Sequence, residues 1–121
     1  MFDDVNLALL QQMLQATTLR HRAIAHNLAN VNTPGYRRRE VRFSDHLASA
    51  IASGDPEALR AAPPEVRQAS DPALRPDGNN VSLEREMGDL MKNALVYSAC
   101  TQLLSARLAA YRAAISGNAS S

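Results

Sequence analysis

The positions of the six prolines constrain the fold of this 121-residue chain more than any other feature. All six lie between Pro34 and Pro76, so both ends of the chain are free of proline. Proline has no amide hydrogen and breaks a helix when it stands inside one. Long helices are therefore possible only at the two ends, and the middle is expected to consist of short pieces and loops.

The N-terminal end carries a helical pattern over residues 6–32. Apolar or small side chains recur there at alternating intervals of three and four residues, which is a heptad seam. The seam consists of Leu7, Leu10, Leu14, Thr17, His21, Ile24, Leu28 and Val31. The pattern predicts one long amphipathic helix whose apolar stripe packs against another helix.

The C-terminal end carries the same pattern over residues 82–116. Ser82 is the predicted N-cap, Gly117 the predicted stop, and a short polar tail follows. Three further apolar residues lie beside the seam, so the helix is expected to have more than one neighbour: Met91, Leu95 and Leu103. The seam itself consists of Leu83, Met87, Leu90, Ala94, Tyr97, Thr101, Leu104, Leu108, Tyr111 and Ile115.

The middle of the chain, residues 33–80, reads differently. Val41 to Phe43 alternates polar and apolar side chains, which predicts a short extended segment. Ser44 to Ser53 predicts about two turns of helix, with Ser44 as its cap and Gly54 as its stop, and Asp55 to Arg60 predicts another turn. Arg60 to Asn80 is polar and rich in proline, so it is expected to be irregular and either to order only against partners or to stay mobile.

These patterns predict an all-α fold. Two long terminal heptad helices pair as an antiparallel coiled-coil hairpin, joined by a proline-rich extended or irregular middle segment. The expected divisions are residues 1–32, 33–80 and 81–121. Two helices alone bury little surface, so the chain is expected to be the subunit of an assembly. A four-helix bundle formed by two copies is the alternative.

Composition excludes several classes of protein. The net charge of +1 gives no general attraction to nucleic acid or to anionic membranes. No apolar run approaches the roughly 20 residues of a membrane span. The start, Met1 to Asp4, is acidic and does not resemble a cleaved secretory signal. We therefore expect a cytosolic protein, or one that leaves the cell by a route without signal cleavage.

Catalysis has little support in the sequence. His21 and His26 are five positions apart and do not share a helix face, which excludes the usual pair of metal ligands. Cys100 lies next to a helical seam without a histidine nearby, and we expect a buried thiol. No metal site, cofactor or catalytic residue is predicted. The basic run Arg37 to Arg39 is expected to be solvated or to face another subunit.

A strong stop signal ends the first helix. Pro34 fixes its own backbone and restricts the residue before it, and Gly35 tolerates positive φ. The sequence Thr33-Pro34-Gly35-Tyr36 therefore predicts a tight turn with proline second and glycine third. This stretch also carries a family resemblance. Its residues match the Ala-Asn-x-x-Thr-Pro-Gly-Tyr signature of flagellar rod and hook axial proteins, through Ala29, Asn30, Thr33, Pro34, Gly35 and Tyr36.

A second stretch of the sequence indicates which type of rod or hook protein the chain resembles. Gly78 to Met87, together with the short length and the missing large central domain, is similar to basal-body rod proteins of the FlgB type. Ser82 stands where that type usually has Asp, and it retains the capping role. The resemblance implies a non-enzymatic structural subunit of the proximal rod. Such subunits self-assemble through their terminal helices into the axial drive-shaft tube and serve flagellum-dependent motility.

The resemblance also implies partners and a location. The chain would leave by the flagellar type III export gate without a cleaved signal peptide and would join the rod across the periplasm. Its implied partners are further copies, rod proteins of the FlgC, FlgF and FlgG types, the MS-ring protein, a FliE-type adaptor and the rod-cap protein. No nucleic acid and no membrane span are implied.

Particular residues receive roles under this hypothesis. Phe43 and Leu47 resemble the short motif that rod and hook subunits present to the export gate. The competing hypothesis is a soluble helical-hairpin adaptor whose basic patch binds an acidic partner. Helix–helix assembly would use Leu7, Leu10, Leu14, Ile24, Leu28, Leu90, Tyr97, Leu104, Leu108 and Tyr111.

Overall fold

The computed structural model describes residues 2–117. Met1 and residues 118–121, which belong to the two predicted terminal segments and include most of the predicted polar tail, lie outside the described residues. The elements in chain order are α1 (Phe2–Ala29), β1 (Arg39–Arg42), α2 (Leu47–Ser53), α3 (Pro56–Arg60), β2 (Glu65–Gln68) and α4 (Leu83–Ser116). The described chain is thus mostly helical, as predicted, with a long helix at each end.

The ends of the long helices follow local sequence signals. The Ser82 side chain accepts a hydrogen bond from the amide of Arg85, which confirms the predicted N-cap of α4. Gly117 adopts the left-handed conformation, with φ of 76°, and stops the helix as predicted. Helix α1 ends at Ala29, three residues before the predicted end at residue 32, because a series of turns replaces its last stretch.

Helix α1 uses two different faces. One face consists of small residues and packs against the middle of the chain, where Ala16 and Ala23 contact Val41 of β1. Their small side chains allow the strand to approach the helix closely. The second face contains the buried seam residues, spaced seven apart, namely Leu10, Thr17 and Ile24. The sequence predicted this second face and did not anticipate the first.

The middle segment contains a small antiparallel sheet in which β1 pairs with β2, so that Val41 lies opposite Val66. The all-α prediction missed this sheet. The extended segment predicted at Val41 to Phe43 corresponds to β1, but β2 gave no signal. All four residues of β2 are exposed, so no buried face imposes an alternating pattern on their sequence.

Two short helices cover the start of α1. Ala50 of α2 and Leu59 of α3 pack against Ala8. Helix α2 stops at Gly54, as predicted, but it begins after His46 rather than at Ser44. The Ser44 hydroxyl instead accepts a hydrogen bond from the His46 amide at 3.2 Å, in the turn before the helix.

The apolar seam of α4 is largely open in the single chain. Its buried residues in the described helix are Glu86, Asn93 and Cys100, which are spaced seven apart and are not the predicted seam. Burial of Cys100 confirms the prediction made for that thiol. The larger apolar residues of α4 that stay exposed are Leu83, Met87, Met91, Leu95, Val96, Tyr97, Leu103, Leu108 and Ile115.

Candidate functional site

The turn that ends α1 has the geometry its sequence predicts. The amide of Tyr36 donates to the carbonyl of Thr33 at 3.2 Å, which closes a four-residue turn. Gly35 has φ of 73° at the third position, and Pro34 occupies the second. This arrangement is a type II turn, which requires positive φ at the position of Gly35. We refer to Ala29 to Tyr36 as the signature turn.

The second motif, Gly78 to Met87, and the residues just before it lie directly against the signature turn. The amide of Gly35 donates to the carbonyl of Asp77 at 2.9 Å, and the amide of Asn80 donates to the carbonyl of Tyr36 at 3.4 Å. A Cβ atom on Gly78 would stand 3.7 Å from the Cα of Gly35, so the two backbones come within ordinary contact distance. The two stretches that carry the resemblance thus form one unit.

Asn79 holds the turns that follow α1 from a segment that lies 46 to 49 residues further along the chain. Its side-chain amide donates to the carbonyls of Asn30, Val31 and Thr33 at 3.1, 3.1 and 2.9 Å. These carbonyls lie just beyond Ala29, the last residue of α1, in the turns that follow the helix. Its side-chain oxygen accepts from the amide of Val81 at 2.7 Å. Asn79 is fully buried and holds the two motifs together.

Asn27 connects four elements with one side chain. Its Nδ2 donates to the carbonyl of Arg39 at 2.9 Å and to Oε2 of Glu86 at 3.1 Å. Its Oδ1 accepts from the Tyr36 hydroxyl and from the Arg39 amide, each at 2.8 Å. An asparagine side chain offers two donor hydrogens and an oxygen with two lone pairs. All of these are in use, so a fully buried amide is satisfied.

Tyr36 is held between α1 and its own turn. Its hydroxyl lies 2.7 Å from Nδ1 of His26 and donates to Asn27, and the rings of Tyr36 and His26 are 5.5 Å apart. The pKa of Tyr36 is raised above its ordinary value because burial removes water from the phenolate. The charge of Arg39 opposes this shift, and the charge of Glu86 adds to it.

A buried ion pair crosses the same region. Nε of Arg38 donates to Oε1 of Glu86 at 2.9 Å, and Nη1 of Arg38 donates to Oδ2 of Asp71 at 2.8 Å. The Glu86 side chain has no exposed surface, and that of Arg38 is 6% exposed. Buried charges are tolerated when they are paired and hydrogen-bonded. The backbone amide of Arg38 also donates to Oδ1 of Asn80.

The ion pair shifts the pKa values of two of its members. The pKa of Arg38 is raised: burial alone would lower it, but the hydrogen bonds to Glu86 and Asp71 outweigh burial. The pKa of Asp71 is lowered, first by its hydrogen bond from Arg38 and also by the charge of Arg85. Both shifts favour the charged forms. We call the signature turn, the second motif, Asn27, Arg38 and Asp71 the junction.

Sequence reasoning missed most of this network. Asn79, Asn80 and Glu86 were included only as members of the second motif, and none of them was given a bonding partner. The expectation for the basic run was wrong at Arg38, which is buried within the chain rather than solvated or turned toward a subunit. Two general rules could have pointed to these contacts. A buried arginine such as Arg38 requires a carboxylate partner, and backbone carbonyls at the end of a helix require hydrogen-bond donors.

The other predicted residues occupy several places. Phe43 lies under the guanidinium of Arg20, 5.5 Å from it, and Leu47 packs with Ala8, Ala50 and Leu59. Of the predicted assembly residues, Leu10 and Ile24 are buried, and Tyr97 and Leu108 are exposed. The remainder are half-buried, and they are Leu7, Leu14, Leu28, Leu90, Leu104 and Tyr111.

The arrangement of the junction is geometric rather than catalytic. Within residues 2–117, no group of three or more His, Cys, Asp or Glu side chains is placed to hold a metal ion. None of the helices in this range is long and apolar enough to span a membrane. Two long terminal helices and the hydrogen-bonded signature turn carry the resemblance to structural subunits of the flagellar rod and hook class.

Comparisons with known proteins specify the member of that class. A flagellar basal body rod protein FlgB from Cereibacter sphaeroides is 30% identical over 118 residues, covering 88% of this chain and 90% of the relative. FlgB of Borrelia hermsii is 29% identical, covering 83% and 87%. FlgB of Aeromonas hydrophila is 27% identical, covering 88% and 89%. No family model matches the chain.

The chain therefore belongs to the FlgB family of flagellar basal body rod proteins. It is a structural subunit of the rod with a role in motility, and it is not an enzyme. The resemblance drawn from the signature turn and from the second motif is confirmed.

Proposed function

We propose that this subunit self-assembles through α1 and α4, which pair as an antiparallel hairpin and build the wall of the axial tube. Two contacts support the pairing. Asn27 of α1 bonds to Glu86 of α4, and the carbonyl of Thr17 accepts from Asn93 at 2.7 Å. Residue numbers fall along α1, from 27 to 17, while those of their partners in α4 rise from 86 to 93. The two helices therefore run antiparallel.

One observation carries the proposal that other subunits cover α4. Met87, Met91 and Leu95 follow one another at intervals of four residues, and 47%, 70% and 72% of these side chains are exposed. Residues four apart share one face of a helix. Contiguous exposed apolar surface marks a protein contact, and burying each such side chain contributes about 1.5–3 kcal/mol before entropy opposes it.

The middle segment, residues 33–80, has a different role in this proposal. Its strand β1 and short helices α2 and α3 pack on the small-residue face of α1. The three divisions at residues 1–32, 33–80 and 81–121 then have distinct functions. The terminal divisions build the tube, and the middle one lies on the outside of α1 and meets neighbours there.

The proposal includes partners and a location. The subunit meets other copies of itself, rod proteins of the FlgC, FlgF and FlgG types, and the MS-ring protein with a FliE-type adaptor at the rod base. It reaches the rod through the flagellar type III export gate without a cleaved signal peptide, and the rod-cap protein accompanies assembly. The rod location on the periplasmic side is supported by membership of a basal body rod family.

Substitution of Met91 tests the assembly face directly. In a strain that lacks its own copy of the gene, we expect the Met91→Asp variant to be made and exported but to restore no swimming, because a buried charge opposes subunit packing. Leu74→Asp is the matched control, since Leu74 is 60% exposed and lies in a loop outside α4. Full motility with Met91→Asp would refute the proposed face.

A further inference from the structure

A second surface, which borders the junction and shares Arg38 and Arg85 with it, has the form of a binding cleft. A cavity of about 300 Å³ opens between α1, β1 and the first half of α4. Its lining includes the apolar side chains of Ile24, Val41 and Val96 and the basic side chains of Arg20, Arg39 and Lys92. The combination selects a ligand that is apolar on one side and negatively charged on the other.

The positive charge of the cleft is not neutralised within the described chain. Two acids also line it, but Glu40 pairs with Arg42 at 3.3 Å and with Arg67 at 3.4 Å, and Asp89 lies 3.9 Å from both Arg38 and Arg85. Between residues 2 and 117, Arg39 and Lys92 have no carboxylate recorded within 4.0 Å. Both side chains are exposed at the mouth of the cleft.

This chain itself carries a segment with the complementary chemistry. The sequence Phe2-Asp3-Asp4 contains an aromatic residue followed by two acidic residues, and Asp4 is exposed. The other phenylalanine, Phe43, is already engaged with Arg20 and with the cluster around Val41. An aromatic ring suits the apolar part of the cleft, and the carboxylates suit Arg39 and Lys92.

The segment cannot reach the cleft of its own chain. Both lie on α1, and about 18 residues of helix separate Asp4 from the cleft, which is roughly 27 Å at 1.5 Å per residue. A contact between surfaces at opposite ends of a molecule joins different copies head to tail. Such contacts generate open-ended helical polymers rather than closed pairs.

We propose that the acidic start of α1 in one copy docks in this basic cleft of a second copy, as the axial contact of the polymer. The inference rests on the proposed rod function. Opposite charges steer the two ends toward each other and fix their register, and like charges placed there oppose association. Since the cleft mouth is exposed, added salt should weaken the contact.

Charge exchange tests this pairing in a strain that lacks its own copy of the gene. We compare the full chain, Asp3→Lys with Asp4→Lys, Arg39→Glu with Lys92→Glu, and all four changes together. Each double variant should lower the yield of purified basal bodies with rods about tenfold or more, and the fourfold variant should restore most of it. Glu65→Lys, a reversal at an exposed acid of β2, is the matched control and should change little.

A second measurement locates the contact. Asp4→Cys and Lys92→Cys chains expressed together should form a disulfide-linked dimer in purified basal bodies under mild oxidation, and either variant alone should form none through these positions. Unchanged rod yield in both double variants, or a fourfold variant as defective as its parents, would overturn the pairing. If the unaltered chain restores no rods, the proposed rod function fails first and this inference falls with it.

Discussion

The side-chain amide of Asn79 donates to three carbonyls in the turns that follow α1, and one of these acceptors, Asn30, lies 49 residues earlier in the chain. Asn27 uses its whole hydrogen-bonding capacity to join α1, the turn, β1 and α4. Both amides are buried, so each unmade bond would leave a polar group without water. At the scale of single residues, the junction depends on amides whose loss nothing nearby replaces.

Asn79→Ala is expected to lower the free energy of unfolding by about 1–3 kcal/mol, because it removes the hydrogen bonds that this buried side chain makes to three carbonyls after α1 and to the amide of Val81. Urea unfolding followed by circular dichroism measures the loss. Asn32→Ala is the matched control, since Asn32 is exposed in the same turn. If the two variants are equally stable, the side-chain hydrogen bonds of Asn79 do not stabilise the turns that follow α1.

Asp71 makes stability depend on pH. Its pKa is lowered in the folded chain by the hydrogen bond from Arg38. Its ionised form therefore stabilises the fold above the ordinary aspartate pKa, and this contribution disappears as the pH falls through the lowered value. Solvent screens part of the effect, since the side chain is 37% exposed.

We therefore expect the unfolding free energy to fall as the medium is acidified from about pH 5 toward pH 2, where Asp71 gains a proton. Asp71→Asn should show a flatter dependence over this range and lower stability at neutral pH. Urea unfolding at a series of pH values measures both. An identical acid slope in the two proteins would contradict the assignment.

At the scale of elements, local sequence signals predicted where the helices end. Contacts between residues far apart in sequence determine strand β2 and the pairing of Arg38 with Glu86. Ser82, Gly54 and Gly117 act within a few residues of chain, so the sequence was sufficient to place them. Strand β2 is held by pairing with a strand far away in sequence, and its four exposed residues carry no pattern of burial. The same holds for the pairing of Arg38 with Glu86, which is visible only once the chain is folded.

The seam of α4 illustrates a different limit. Its heptad pattern was visible in the sequence, but the positions that the single chain buries are Glu86, Asn93 and Cys100. In our proposal the apolar seam of α4 packs against neighbouring subunits as well as against α1. A heptad pattern predicts that its apolar side chains are buried, but it does not show whether the same chain or another subunit buries them.

Leu104→Asp tests this interpretation of α4. Leu104 is half-buried in the single chain, so we expect the protein to be expressed while rod assembly is lost, because a charge then lies within the helix packing. Electron microscopy of basal bodies and a swimming assay measure the loss. Gln102→Asp, at an exposed position of the same helix, is the control and should assemble. Normal motility of the Leu104 variant would exclude the seam from assembly.

At the scale of the whole molecule, the junction sets the angle between α1 and everything that follows it. The backbone of the signature turn bonds to the residues around the second motif, and Asn27 bonds to α4. The direction in which the chain leaves α1 therefore depends on the position of the start of α4. In a polymer whose subunits repeat, a small error in this angle is repeated at every contact, so assembly is more sensitive to the turn than folding is.

The double variant Pro34→Ala with Gly35→Ala separates assembly from export. Alanine at Gly35 is strained because φ is 73° there, at a cost of about 1–2 kcal/mol, and loss of proline frees the backbone before it. This cost is too small to unfold two long helices but large enough to move the turn. We expect the variant to be exported at near-normal levels and to form few rods. Pro63→Ala, at an exposed proline of the middle segment, is the control. Immunoblots of the export fraction and counts of purified basal bodies measure the two steps, and a block at export would mean that the turn acts as a secretion signal rather than as the hinge of assembly.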